Sequence, residues 1–367
     1  MDSFTAEIQV QPTAIDLFSG CGGLTTGLKL AGFRVLAAVE CEAGALEAYE
    51  ANHADVPHIY RRDIREVAGR QVLETLNLEQ GQLDLLAGCP PCQGFSRMRT
   101  LNRGDAVDDP RNDLVHEYLR LVTELLPRAL MLENVPGLAN DPRYIDLLQA
   151  IRDFGYDAVD EVHDAADFGV PQRRRRLIML AARGARVAMP KVLSMDQRPT
   201  VRSVIEGLPR PGTSGDPAHD VTEARRPEIA ELIQLVPHNG GSRGDLGPDH
   251  VLDCHKRCDG FYDVYGRMRW DDVSPTITSG FINPSKGRFL HPEQDRCVTP
   301  REAALLQTFP PGYIFPMMRG KYPVAAMIGN AFPPELARHH ALAVREALAN
   351  TPIEPLAKAT WQDLRYR

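Results

Sequence analysis

Short apolar runs alternate with helix-length amphipathic stretches through the first half of the chain: TAIDLF, RVLAAVE, HIYRRD, LDLLAG, ALMLENV and then RLIMLAAR. Runs this short read as strands. Between them, Ala43 to Asn52, Ile64 to Leu76, Asp113 to Leu126 and Ile145 to Phe154 carry the helical period. This βαβα rhythm predicts an α/β fold, a doubly wound and mostly parallel sheet with helices on both faces. Ligands of such sheets bind at the carboxyl ends of the strands, and the unusual residues of this chain fall there. After about Pro190 the texture changes to VIEGLPRPGTSGDP, HNGGSRGDLGP and INPSKGRF, rich in glycine and proline and without a helical period. A boundary near Pro190 and a smaller, irregular second domain are expected. PPELARHHALAVREALA then returns to a helix, with Ala337, Ala341, Val344 and Leu348 on one stripe.

Composition narrows the class of protein. The chain has 367 residues, 43% of them hydrophobic and 25% charged, which fits an ordinary globular protein and excludes a disordered chain or a fibre. No stretch approaches the roughly 18 apolar residues of a membrane helix, and MDSFTAEIQVQPTAIDLF lacks the pattern of a signal peptide, so a cytoplasmic protein without membrane contact is expected. Seven cysteines between Cys21 and Cys297 do not make a disulfide framework. With a net charge of -7, any polyanion must bind through a local basic face.

The first strand runs through AIDLFSGCGGLTTGL into Gly20, Gly22 and Gly23 and then into a helix. Such glycines let a backbone approach a ligand at a helix N-terminus, although a tight turn without a ligand is the plainer reading. A dinucleotide fingerprint needs a third glycine where Thr25 stands. Glu40 closes the second strand, where a carboxylate can accept hydrogen bonds from ribose hydroxyls, and Asp63 closes the third. A glycine loop and two acidic strand ends fit an adenosine-containing ligand without requiring a pyrophosphate.

LLAGCPPCQGFSR sets Cys89 and Cys92 around Pro90 and Pro91, just past the fourth strand. Three readings compete for Cys92. A redox C-x-x-C belongs at the start of a helix after the first strand of a small domain, which is not this context. A shared zinc site has only Cys254 and Cys258, flanked by His250 and His255, to draw on. A nucleophilic thiol needs a cationic or dipolar neighbour to form its thiolate and an acid to complete the chemistry. The acid candidate is Glu133, which follows four apolar residues in ALMLENV; a structural glutamate is the other reading. PQRRRRLIML supplies the cations. With the two-residue period of a strand, Arg174 and Arg176 share one face and Arg173 and Arg175 the other, so one pair can face the site while the other meets solvent or phosphates.

Together these residues resemble the cytosine C5 DNA methyltransferase family. DLFSGCGGL, the Glu40 and Asp63 strand ends, PPCQGFS, ENVPGL, the Q-x-R-x-R of Gln172, Arg174 and Arg176, REAALLQTFP and GNAFPP follow that family's order over residues 16 to 334. The resemblance implies the S-adenosylmethionine-dependent methyltransferase fold, S-adenosylmethionine as methyl donor, and no metal. Phe18, Gly20 and Gly22 would line the donor pocket, Glu40 would hold the ribose, Asp63 and Ile64 the adenine, and Pro91, Asn330 and Ala331 would complete it. The Cys92 thiolate would add to C6 of cytosine, Glu133 would bond N3 and the exocyclic amine, and Arg176 with Arg174 would meet the O2 edge. Cys89 would be structural.

On this reading double-stranded DNA is the partner, and the target base must leave the stack. Residues Arg97 to Arg111 suit a closing loop, with Ser96, Arg97, Arg99 and Arg103 at phosphates. Catalytic and donor functions are assigned to residues 1–190, completed by 318–349; target recognition and hinge to 191–317; a tail to 350–367. In YGRMRWDDVSPTIT, Arg267, Arg269 and Thr276 are the candidate DNA contacts, Thr276 and Ile277 standing at the family's Thr-hydrophobic position. Arg267 and Arg269 paired with Asp271 and Asp272 is the structural alternative. A monomeric, nucleoid-associated prokaryotic enzyme is expected. The recognition sequence, and whether a restriction endonuclease or other defence partner accompanies it, stay open. A transfer-RNA cytosine methyltransferase would carry a Cys-Phe-Thr element that is not found here. A catalytically inactive DNA-binding homologue would not need Cys92, Glu133, Arg174 and Arg176 intact.

Overall fold

The computed structural model describes residues 11–91, 113–247 and 263–350. Cys92, Ser96, Arg97, Arg99 and Arg103 therefore lie outside the described residues, as do His250, Cys254, His255 and Cys258.

A seven-stranded sheet organises the chain: β1 (Thr13–Leu17), β2 (Arg34–Glu40), β3 (His58–Arg61), β4 (Leu85–Gly88), β5 (Ala129–Asn134), β6 (Tyr156–Asp164) and β7 (Arg175–Arg183), in the spatial order β3-β2-β1-β4-β5-β7-β6. The first five strands pair in parallel, and β7 runs antiparallel to both β5 and β6. Every expected strand is present. β6, which the apolar-run pattern passes over, is an additional edge strand.

Helices cover both faces, as the chain's rhythm requires. On one side lie α1 (Gly23–Leu30) and the C-terminal α10 (Pro334–Ala349), whose Ala337, Ala341, Val344 and Leu348 are buried against Ala14, Val35 and Ile178. The other side holds α3 (Gly69–Leu76), α4 (Leu114–Leu125) and α5 (Pro142–Asp153) over Ile15, Leu86, Leu130 and Met179. α2 (Ala43–Asn52) has the expected limits, with Glu42 accepting a hydrogen bond from the Ala45 N–H as its cap. The helix expected from Ile64 to Leu76 is instead divided. Asp63 caps a single 3-10 turn at Ile64–Glu66, Val67 and Ala68 are extended, and α3 begins at Gly69.

From residue 191 to 317 the described chain is held by short helices, α6 (Val201–Ile205), α7 (Pro227–Leu235) and α8 (Pro300–Leu306), and by isolated bridges such as Gln172 to Ser274. Their apolar side chains form a third core with α9 (Lys321–Asn330), into which Cys21 and Ala48 of the sheet region also pack. Among the described residues no helix is long and apolar enough to cross a membrane.

Candidate active site

The chain leaves β1 through a loop bound to the strands on either side: Ser19 N–H donates to Val39 O at 3.0 Å, and Cys89 N–H donates to Leu17 O at 3.3 Å. Phe18, Gly20 and Gly22 all take positive φ, at 59, 54 and 94°. For Gly22 the space is closed as well, since a Cβ there would stand 2.3 Å from His53 Nε2. The outer side of Gly20 is open, with nothing within 4 Å of an added Cβ. Glu40, at the end of β2, braces this loop. Its Oε2 accepts the Gly20 N–H at 2.8 Å, and its Oε1 accepts those of Cys41 and Glu42, each at 2.8 Å. A carboxylate has about four acceptor directions, so one is left for a ligand hydroxyl.

Beneath the loop, Asp16 is fully buried. Thr25 Oγ1 donates to its Oδ2 at 2.6 Å, and Tyr49 Oη stands 2.9 Å from the same hydroxyl. This accounts for threonine where a dinucleotide fingerprint has glycine. The other oxygen, Oδ1, has no partner, and burial pushes the carboxyl from 3.8 up to about 7. A carboxyl whose folded pKa lies above its unfolded one favours the folded state less as pH rises, here between about 4 and 7. Asp16→Asn, which stays neutral, is therefore expected to raise the melting temperature above wild type by more at about pH 8.5 than at about pH 5. At one pKa unit per about 1.4 kcal/mol the difference is on the order of 2–4 kcal/mol, and equal shifts at both pH values would contradict it.

The other expected donor residues divide. Asp63 Oδ1 accepts the Arg65 N–H at 2.9 Å. Ile64, read as an adenine contact, buries its side chain in the core beside Val67 and Val72, which leaves it only backbone to offer. Pro91 is half-buried, Asn330 exposed and Ala331 half-buried. The segment after Asn330 does meet the glycine loop: a Cβ on Gly23 would stand 2.3 Å from Phe332 O, so the two backbones are in contact.

Further along the same edge, β5 ends at Glu133 and Asn134, and β7 starts beside them because it runs the opposite way. Arg176 Nε thereby comes to 2.7 Å from Glu133 Oε1, in an ion pair whose side chains are 15% and 11% exposed. Asn134 Nδ2 donates to Pro90 O at 2.9 Å and so fixes the chain two residues before Cys92. The sequence pattern assigns Asn134 no task; its signal there is a polar residue that follows Glu133 at the end of an apolar run and precedes Val135-Pro136. Cys89 is half-buried, and desolvation together with the Glu133 charge drives its thiol pKa well upward, which suits a structural residue.

The alternation expected of the arginine run holds, with Arg173 and Arg175 exposed and Arg174 and Arg176 turned inward. Arg174 is nevertheless corrected. It is 2% exposed and donates to three backbone carbonyls, those of Ile277 at 3.1 Å and of Gly329 and Ala331 at 3.0 Å, so its charged end is committed to the protein and does not reach a base. Arg267 is corrected likewise. It is fully buried and donates to the carbonyls of Val236, Ile233, His291 and Gln294 and pairs with Asp295, which no DNA contact could share. Arg269 is exposed and lies over Gly240. Neither takes the aspartates proposed for it: Asp271 pairs with Arg202, and Asp272 with Arg173. Thr276 donates its hydroxyl to Arg173 O at 2.6 Å.

Comparison with known proteins agrees with this geometry. The sequence profile described as C-5 cytosine-specific DNA methylase matches residues 13–346. The chain is 37% identical to the Type II methylase M.HgiDII of Herpetosiphon aurantiacus over 91% of its own length and 95% of that protein. It is 32% identical to the Type II methyltransferase M1.HphI of Haemophilus parahaemolyticus over 92% and 88%. Among solved structures, a protein encoded within an E. coli prophage superposes with a TM-score of 0.67 at 24% identity, over 92% of this chain and 99% of that one, and so shares the fold. With its sheet, its glycine loop and its Glu133–Arg176 pair in the family's order, the chain belongs to the C-5 cytosine-specific DNA methylases.

Proposed function

We propose that this chain transfers a methyl group from S-adenosylmethionine to C5 of a cytosine flipped out of a short, specific DNA sequence. The observation that carries this reading is the Glu133–Arg176 pair at the sheet edge to which Asn134 ties the Pro90-Pro91 turn, one residue before Cys92. The glycine loop fits the donor: Gly20 is open on its outer side, Glu40 keeps an acceptor direction free, and exposed Asn330 lies two residues from Phe332, whose carbonyl touches the loop. Phe18, Gly20, Gly22, Glu40, Asp63, Pro91, Asn330 and Ala331 would hold it, with Ile64 contributing backbone. When bound, S-adenosylmethionine supplies an electrophilic methyl group.

The chain's own groups do the rest. The Cys92 thiolate adds to C6 of cytosine, which breaks the 5,6 double bond and makes C5 nucleophilic enough to take the methyl group. Glu133 bonds N3 and the exocyclic amine as charge develops there, and Arg176 both orients that carboxylate and faces the O2 edge. Transfer of the C5 proton to water returns its electron pair to the 5,6 double bond, the C6–S bond breaks, and the Cys92 thiolate leaves with release of 5-methylcytosine. Recognition is assigned to residues 191–317, with Arg269 and Thr276 as the described candidates. Ser96, Arg97, Arg99 and Arg103 remain phosphate contacts proposed on sequence.

Expression in a cell lacking cytosine methylation, followed by sequencing of its DNA for 5-methylcytosine, tests this reading. Modification at one short motif is the expected result. Unmodified DNA beside folded protein that binds S-adenosylmethionine would overturn the assignment of substrate.

A further inference from the structure

Arg174 joins two segments that serve different ligands. Its Nη2 donates to Gly329 O and Ala331 O, the carbonyls flanking the donor-site residue Asn330, and its Nη1 donates to Ile277 O, next to the target-side Thr276. Its own backbone N–H is held by Asp164 Oδ1 at 2.8 Å, so the guanidinium hangs from a fixed point. The two segments also touch directly: a Cβ on Gly329 would stand 2.3 Å from the carbonyl carbon of Thr278 and 2.4 Å from the Ser279 nitrogen. Gln172 closes a ring around the contact. Its Oε1 accepts the Ile277 N–H at 2.9 Å and its Nε2 donates to Gln307 Oε1 at 3.2 Å, while Gln307 donates in turn to Ile328 O.

We propose that Arg174 is a positioning residue that couples occupancy of the methyl-donor site to docking of the target strand. The proposal rests on the methyltransferase reading. The physical reason is that this buried cation is stabilised by three carbonyl dipoles and by no ion pair that the described residues show. Moving either segment by itself removes a carbonyl and leaves a buried charge less satisfied, which is costly. The inexpensive motion is therefore a joint one of 277–279 with 328–331. A ligand that settles one segment settles the other, and by linkage each ligand tightens the other by the same factor.

The test is the dissociation constant of S-adenosylhomocysteine measured with and without a saturating DNA duplex that carries the motif methylated in cells. For wild type the ratio of the two is expected to be about fivefold or more. Arg174→Lys, which keeps the charge but cannot span three carbonyls, is expected to bring the ratio near one, whereas a merely structural arginine would lower the melting temperature and leave the ratio of the folded protein unchanged. Thr276→Val loosens the same seam at a half-buried position and is expected to reduce the ratio; it decides the matter if Arg174→Lys does not fold. A wild-type ratio of one, or an unchanged ratio in the deciding variant, overturns the coupling. Wild type that methylates DNA with a ratio of one retains its proposed function and loses only this inference, whereas failure to bind S-adenosylhomocysteine or to methylate DNA removes both.

Discussion

Cys92→Ser is expected to abolish methyl transfer while leaving binding of S-adenosylmethionine and DNA largely as in wild type. A serine hydroxyl is far less acidic than a thiol and a poorer nucleophile, so the addition at C6 that activates C5 does not occur. Apart from Pro91, which precedes Cys92 in the chain, the proposed donor-site residues lie elsewhere, on the loop at Phe18 to Gly22, at Glu40 and Asp63 and at Asn330 and Ala331. The exchange of sulfur for oxygen gives them no reason to move. The measurement pairs turnover on the methylated motif with equilibrium binding of the donor. Turnover near wild type would remove Cys92 from the role of nucleophile, and loss of donor binding would show that it shapes the pocket instead.

Glu133→Gln should lower turnover by at least roughly a hundredfold, the scale of a positioned acid or of an electrostatic stabiliser acting on developing charge. Glutamine preserves the shape and a hydrogen-bonding carbonyl, but it neither carries the charge that stabilises the protonated ring nor balances Arg176 at 2.7 Å. Since that pair is largely buried, its loss should also destabilise the fold by an amount on the order of a few kcal/mol. Melting temperature and turnover must therefore be read together. Reduced stability with a near-normal rate in the folded fraction would make Glu133 a structural partner of Arg176 only.

Much of the fold was legible because buried parallel strands advertise themselves as uninterrupted apolar runs. The strand through Ala129–Asn134 is buried along its whole length, and its apolar run marks it in the sequence. β6 is not, because YDAVDEVHD contains five acidic or histidine residues in nine, and only Tyr156, Ala158 and His163 of the nine are buried. The break between Ile64 and Gly69 arises from side-chain capping by Asp63 and an extended Val67-Ala68, a local event that helical periodicity does not register. In the candidate site, positions were easier to read than partners. Strand alternation groups Arg174 with Arg176 without choosing which pair turns inward, and what each meets depends on chain segments more than a hundred residues away for Arg174 and on the reversed direction of β7 for Arg176. Arg267 shows the same limit. Nothing in YGRMRW distinguishes an arginine that neutralises phosphate from one whose five donors are taken up by a folded interior.

The charged edge strand β6 has a bearing on how copies of the protein behave toward one another. A sheet that ends in an unpaired strand offers backbone donors and acceptors to any similar strand, and natural proteins blunt such edges with charge. β6 carries Asp157 and Glu161 exposed and Asp160 half-exposed along that border, so a second copy laid against it would set carboxylate against carboxylate. The opposite border, β3, is only four residues long. Both ends of the sheet are thus poor templates for strand addition, which guards the folded chain against edge-to-edge aggregation.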